Sequence, residues 1–264
     1  MSKALIFDCD GVLADTELHG HLVAFNLMWQ KFGVNWQWSP EQYAEKLRIG
    51  GGKERMASLF AEPKFQQVFD VPKDEAGRKE LLAKWHAEKT VIYQDIIASG
   101  AIPARAGVKR LAEEALARDW KLAVASTSAR PSVDTVLQHA VGPPTAQRFA
   151  LVLAGDIIPK KKPAPDIYLM AVANLGISAE SCVAIEDSRN GLLSAYTAGI
   201  TTVITTSYFT QGERFDEAAL VVNSLGDPAG ERSTPLANRT AITIGEYVRV
   251  RDLEDIVSSV HRIL

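Results

Sequence analysis

Two aspartates separated by one residue, Asp8 and Asp10, follow a short apolar run, Ala4-Leu5-Ile6-Phe7, and lead into Gly11-Val12-Leu13. Carboxylates held a few ångströms apart repel, which raises the pKa of one of them unless a cation lies between. Such a pair suits chemistry better than stability, although a strand end whose aspartates face water would also present it. Three later stretches supply the partners that chemistry would need. Ser126-Thr127-Ser128 offers hydroxyls and backbone N–H groups that can cradle a phosphate or simply cap a helix. Lys160-Lys161-Lys162 stands before Pro163, either as a solvated loop or with one ammonium fixed on a target. Glu186-Asp187 is a second acidic pair.

Asp8, Asp10 and Asp187 supply hard oxygen ligands of the kind that Mg²⁺ takes alongside waters and a substrate phosphate. Asp8 and Asp187 are expected to bind through carboxylates, Asp10 through its backbone carbonyl, and Glu186 to act mainly through a bound water or from behind the ligands. A carboxylate can also accept a phosphoryl group and so split a hard hydrolysis into two easier steps. Asp8, at the strand end, is placed as that nucleophile. Asp10, two residues on, can protonate the leaving oxygen and later take a proton from water. Lys162 would neutralise the nucleophile and the transferring oxygens, while Ser126 and the Thr127 N–H hold a third oxygen.

These groups must be carried to one place by the elements before them. Ala4–Phe7 reads as a strand buried on both faces. Apolar residues then recur at helical spacing (Leu18, Leu22, Phe25, Met28, Trp29), Gly33 breaks the run, and Ser39-Pro40-Glu41 opens another helix with serine as cap. Lys73 to Ala98 is helical as well, with Trp29, Trp36 and Trp38 as core of the segment. From Ile102 onward strands and helices alternate: helix 107–118, strand 122–125, helix 131–140, strand 149–154, helix 165–175, strand 182–185, helix 191–198, and strands 201–205 and 219–222. Alternation of this kind implies parallel crossovers and a doubly wound, Rossmann-like α/β sheet. Ligands of such sheets sit beyond the carboxyl ends of the strands, which is where the unusual polar residues fall. The predicted organisation is a core of 1–15 and 99–264 with an inserted helical domain of 16–98. Residues 228–235 read as a linker, 241–250 as strand-like, and Leu253, Ile256, Val257, Val260 and Ile263 as a helical stripe.

The chain of 264 residues, 47% hydrophobic and 23% charged, has the composition of a globular protein, and its net charge of −3 argues against nucleic acid or an anionic membrane as main partner. No apolar run approaches the ~20 residues of a membrane span. The first strand begins by about Ala4, so no signal or transit peptide is expected within this chain. Cys9 and Cys182 each adjoin a strand, as buried thiols of a reduced compartment do.

In combination Asp8-Cys9-Asp10-Gly11-Val12-Leu13, Ser126, Lys162 and Glu186-Asp187 resemble the motifs of the haloacid dehalogenase superfamily, and the helical insertion is similar to the cap of its β-phosphoglucomutase-like branch. Phe32-Gly33-Val34-Asn35-Trp36-Gln37-Trp38, Tyr43 and Ile49-Gly50-Gly51-Gly52-Lys53-Glu54-Arg55-Met56 resemble CbbY-type xylulose-1,5-bisphosphate phosphatases, which remove an inhibitor of Rubisco. The resemblance implies a Mg²⁺-dependent, monomeric phosphatase of a small phosphosugar. Gly155 to Pro163 looks like the plastid type, which implies the chloroplast stroma. A bisphosphate needs cations and close backbone N–H groups for its second phosphate. Gly51, Gly52, Lys53, Glu54 and Arg55 fit that need, with Lys53 where related mutases carry a phosphate-binding arginine. The alternative for this stretch is a solvated helix start. Glu17 and His21 match family positions that contact substrate or tune Asp10, Tyr43 is a weaker candidate, and His19 is expected on the surface. A sugar phosphate mutase and a non-catalytic phosphosugar sensor remain the rival functions.

Overall fold

The computed structural model describes residues 2–49 and 51–260. Gly50 and Ile263, together with the side chain of Val260, lie outside the described residues. The chain folds into two compact units, Met1–Asp15 with Pro103–Leu264 and Thr16–Ile102. The sheet unit therefore resumes at Pro103 and not at residue 99. Ile102 is buried, and its side chain abuts Gly20 and so ties the 99–102 stretch to the helical unit.

Strand β1 (Ala4–Phe7) is wholly buried, as its apolar run requires. The helical unit follows, as α1 (Leu22–Lys31), α2 (Pro40–Lys46), α3 (Gly52–Ser58), α4 (Pro63–Gln66) and α5 (Glu75–Ala98). One π turn, Glu17–His21, runs directly into α1. The predicted cap is present at Ser39, whose hydroxyl accepts from the Gln42 N–H while the Gln42 side chain accepts from Ser39 N. Aromatic rings fill the interior: Trp29 meets Trp38 edge-on at 4.6 Å, and Phe25 lies 5.2 Å from Trp38. Trp36 is half-buried with its ring 5.2 Å from Phe65. His19 is exposed.

The second unit continues with α6 (Val108–Ala117), β2 (Lys121–Ala125), α7 (Arg130–Val141), α8 (Pro143–Ala146), β3 (Leu151–Leu153), α9 (Asp166–Leu175), β4 (Cys182–Glu186), α10 (Arg189–Thr197), β5 (Thr201–Thr205), β6 (Leu220–Val222), β7 (Pro235–Asn238) and α11 (Val250–Val260). Among the described residues the sheet has the order β3-β2-β1-β4-β5-β6-β7. Its first six strands are parallel and β7 is antiparallel to β6. The crossover pattern sets β1 between β2 and β4, with Phe7 in register with Val124 on one side and Ile185 on the other. Residues that follow β1, β2 and β4 must therefore emerge side by side at the carboxyl edge.

One expectation for the C-terminal stretch fails. Residues 228–234 hold neither helix nor strand, as a linker would, and β7 begins at Pro235, but 241–250 is not a strand. Its alternating apolar residues reflect a loop packed down at Ile244, Val248 and Val250. The hydrogen bonds there are made singly: the Val248 N–H donates to Leu225 O at 2.8 Å and the Ser233 N–H to Glu246 O at 2.8 Å, with no ladder. The apolar stripe is as expected where described, with Leu253, Ile256 and Val257 buried on α11.

Arg105 fastens the return of the chain to the sheet. Its Nη2 donates to Thr205 Oγ1 at 3.0 Å, Thr206 O at 2.8 Å and Asn223 O at 2.8 Å, and its backbone N–H donates to Leu13 O at 3.0 Å. Arg105→Met should strand the Thr206 and Asn223 carbonyls and cost on the order of 3 kcal/mol in urea denaturation; a loss below about 1 kcal/mol would contradict this role.

Candidate active site

The Asp8 N–H still donates to Ile185 O at 3.0 Å, so the residue is held in the ladder while its side chain leaves it. Asp8 is 8% exposed. Lys162, from the loop before α9, reaches it: Nζ donates to Asp8 Oδ1 at 2.7 Å, to Glu186 Oε1 at 2.6 Å and to Ala125 O at 3.0 Å. An ammonium has three N–H donors and no acceptor, and here all three go to the ends of β1, β4 and β2. Burial lowers the Lys162 pKa, but the carboxylates of Asp8 and Glu186 outweigh it and hold the ammonium above its ordinary value.

Glu186 is wholly buried at the end of β4. Its Oε1 also accepts from the Tyr168 hydroxyl of α9 at 2.5 Å, and the Lys162 ammonium lies 5.2 Å from the Tyr168 ring centroid. Its Oε2 is a buried acceptor with no hydrogen-bond partner among the described residues. The next residue, Asp187, is 7% exposed and takes a 2.7 Å hydrogen bond on Oδ2 from Ser207. Two glycines leave room for these carboxylates. A Cβ on Gly11, whose φ is +77°, would stand 2.1 Å from Asp187 Oδ2, and one on Gly191 would stand 1.9 Å from Glu186 Oε2.

Asp8, Glu186 and Asp187 each offer an oxygen, and these oxygens lie within 4.8 Å of one another. Burial, then the Glu186 and Asp10 charges, push the Asp8 carboxyl up to about 7 against the pull of Lys162. Burial, then Asp8 and Glu186, raise Asp187 well above the carboxylate range, against Ser207 and Arg105. A cluster of hard oxygens this crowded, with one acceptor left unpaired, fits a divalent cation. Glu186, expected to act through a bound water or from behind the ligands, lies with one oxygen within 4.8 Å of those of Asp8 and Asp187.

Asp10 is half-buried and accepts a hydrogen bond on Oδ2 from the Ser128 hydroxyl. Ser126 is buried at the end of β2, with its Oγ accepting from the Ser128 N–H at 3.1 Å; Thr127 beside it is half-buried. Sequence reasoning misses the supporting set of Tyr168, Ser128 and Ser207. Ser128 is visible there only as part of a phosphate-cradle motif, while nothing local marks the other two.

The helical unit gathers its own polar cluster. Tyr43 donates from its hydroxyl to Glu17 Oε2 at 2.7 Å and accepts from Arg55 Nη1 at 2.9 Å. Arg55 Nε donates to Ile49 O at 3.0 Å, so this guanidinium braces the turn at Gly51, which has φ +96° and precedes α3. Lys53 and Glu54 are exposed, Gly52 is half-buried, and His21 is half-buried against Lys89 and Tyr93.

A family model for haloacid dehalogenase-like hydrolases matches residues 2–199, and the chain belongs to that family. It is 42% identical over 232 residues to a CBBY-like protein of Arabidopsis thaliana, a match covering 88% of this chain and 72% of the relative. It is 41% identical over 229 residues to the plasmid-encoded CbbY protein of Cupriavidus necator, covering 86% and 87%. The crystal structure of CbbY from Rhodobacter sphaeroides in complex with phosphate has a TM-score of 0.73 at 36% identity over 87% of this chain and 97% of that one. A variant of that protein was crystallised with xylulose 1,5-bisphosphate, again at a TM-score of 0.73. Within the hydrolase family the chain therefore falls in the CbbY group.

The crowding of carboxylates has a consequence for stability. A carboxyl whose folded pKa is raised stabilises the fold below its unfolded value of 3.8, and that contribution is lost as pH rises through about 7. In chelator, Asp8→Asn should therefore gain in melting temperature over the parent as pH climbs across this window. A difference that stays constant from pH ~4 to pH ~7 would contradict the shift.

Proposed function

We propose that the protein is a Mg²⁺-dependent phosphatase that hydrolyses a small sugar bisphosphate, xylulose 1,5-bisphosphate, through an aspartyl phosphate on Asp8. The observation that carries this reading is the Lys162 clasp, which holds one oxygen of a buried aspartate beside two further carboxylates at the carboxyl edge of the sheet. The substrate is supported by CbbY of Rhodobacter sphaeroides, crystallised with that bisphosphate. The plant relative at 42% identity accords with a plastid setting, and among the described residues no helix is long and apolar enough to cross a membrane.

Asp8, Asp187 and the backbone carbonyl of Asp10 would hold the ion, with Glu186 beside them. When bound, Mg²⁺ supplies the positive charge that lets an anionic phosphate share a site with carboxylates. Lys162 keeps Asp8 Oδ1 in place, which presents Oδ2 to phosphorus. Attack forms the carboxylate oxygen–phosphorus bond and breaks the bond to the sugar oxygen, which takes a proton from Asp10. Water then attacks the same phosphorus, Asp10 takes its proton, and Asp8 is released. Ser128 orients the Asp10 carboxyl throughout. Ser126 and the Thr127 N–H steady a transferring oxygen.

In this reading the helical unit is a cap that grips the second phosphate. Lys53 is its exposed cation, Gly51 and Gly52 bring backbone N–H groups close, and Arg55 serves chiefly to hold that turn. Glu54, Glu17 and His21 complete the sugar-binding set.

A mutase would use the same core residues, and the β-phosphoglucomutase of Bacillus subtilis is 27% identical over 229 residues. Phosphatase action is favoured by the higher identity to CbbY proteins. Purified protein with Mg²⁺ should release inorganic phosphate from xylulose 1,5-bisphosphate far faster than it isomerises β-glucose 1-phosphate, and chelation should abolish the release. The opposite ranking would make it a mutase. Lys53→Ala should raise KM for the bisphosphate roughly 10–100-fold while leaving a monophosphate within about threefold; equal effects on both would remove Lys53 from the second phosphate site.

A further inference from the structure

We propose that Ser207 and Tyr168 select the ion: by occupying one oxygen of Asp187 and one of Glu186, they leave each carboxylate a single oxygen to offer, which suits Mg²⁺ and disfavours Ca²⁺. This selection rests on the divalent ion of the phosphatase reading above. Ser207 donates to Asp187 Oδ2 at 2.7 Å. The same oxygen faces the Gly11 backbone, where a Cβ would stand 2.1 Å away. Tyr168 donates to Glu186 Oε1 at 2.5 Å, and Lys162 donates to that oxygen at 2.6 Å. A carboxylate oxygen has two lone pairs, so Oε1 is filled. Lys162 also takes Oδ1 of Asp8, at 2.7 Å.

The donors are themselves fixed. Ser207 is buried just beyond β5, its N–H donates to Thr210 Oγ1 at 2.9 Å, and the Thr210 N–H donates to Ser207 O at 3.2 Å. A serine hydroxyl has one proton, and here it goes to Asp187. The 3.1 Å contact between the two hydroxyls therefore runs from Thr210 to Ser207. Tyr168 is wholly buried on α9, so its hydroxyl has no water to turn to.

Mg²⁺ demands about six oxygens at about 2.0–2.1 Å and keeps waters among them. Ca²⁺ takes about six to eight at about 2.3–2.6 Å and can grip a carboxylate by both oxygens, so ligand number and flexibility decide between the two ions. The extra oxygens that Ca²⁺ asks for would have to come from Asp8 Oδ1, Asp187 Oδ2 or Glu186 Oε1. Each would first have to give up a hydrogen bond in a buried site, which is costly. Ser207 and Tyr168 are thus positioning residues that act on the ion through Asp187 and Glu186.

Chelator-treated full-length protein is titrated with magnesium chloride or calcium chloride alone, and the rise in melting temperature gives a dissociation constant for each ion without any substrate. The parent should bind Mg²⁺ more tightly than Ca²⁺. Ser207→Ala and Tyr168→Phe should each shift the ratio of the two affinities toward Ca²⁺ by roughly tenfold. Ser207→Thr, which keeps the hydroxyl, should retain the parent ratio. A parent that prefers Ca²⁺, or a ratio left unchanged in either folded variant because both ions are weakened alike, would overturn the proposal. If Ser207→Ala does not fold, the parent ratio and Tyr168→Phe decide. A parent that binds neither ion would remove the phosphatase reading as well, whereas Mg²⁺ binding with an unchanged ratio would overturn the selection alone. The expected shift in a protein that leaves xylulose 1,5-bisphosphate intact would count against the substrate and not against the selection.

Discussion

One ammonium holds the reactive end of this protein together. The three donors of Lys162 reach the aspartate after β1, the glutamate that ends β4 and the last carbonyl of β2. Those strands neighbour one another in the sheet but lie far apart in the chain. With 11% of its side chain exposed, the cation is costly to bury and is compensated only while both carboxylates stay in place. The parallel sheet, the loop before α9 and the register of β1 between its neighbours all serve that geometry.

The same arrangement leaves a surplus of negative charge. Against the single Lys162 ammonium stand Asp8, Glu186 and Asp187, and the two aspartates respond with raised pKa values. A protein selected for stability alone would have little reason to keep them. Space is cleared for them as well, since any side chain at Gly11 or Gly191 would collide with Asp187 or Glu186. Tyr168 and Ser207 then fix the carboxylates with hydrogen bonds from elements that carry no reacting group. Charge excess, cleared space and oriented oxygens together are what a cation and a phosphate require.

Much of this is legible in the residues. Asp8 and Glu186-Asp187 stand out because acidic residues at the ends of apolar strands have no packing reason to be there, Lys162 because it stands before a proline in the loop to α9, and the alternation of strands with helices implies that they meet. The wholly buried β1 and the Ser39 cap are readable because their causes are local. What the residues alone conceal depends on distant contacts. Tyr168 reads as an ordinary apolar position on α9 until Glu186 is seen under its hydroxyl, and Lys89 looks like one more charge on a long helix until it is found between two rings and His21. The stretch 241–250 misleads because a loop pinned by buried side chains can mimic the alternation of a strand. The break between the units falls at Ile102, four residues beyond the end of α5, because tertiary packing and not helix length decides where a domain stops.

The central claim is that Asp8 takes the phosphoryl group, and covalent capture tests it most directly. Turnover of xylulose 1,5-bisphosphate in Mg²⁺ can be quenched with acid and the protein reduced with borohydride, which converts an acyl phosphate to the alcohol, before peptide mass spectrometry. The account predicts that position 8, and no other carboxylate, is recovered as homoserine. Product formation with an unreduced Asp8, or reduction at a different residue, would contradict it.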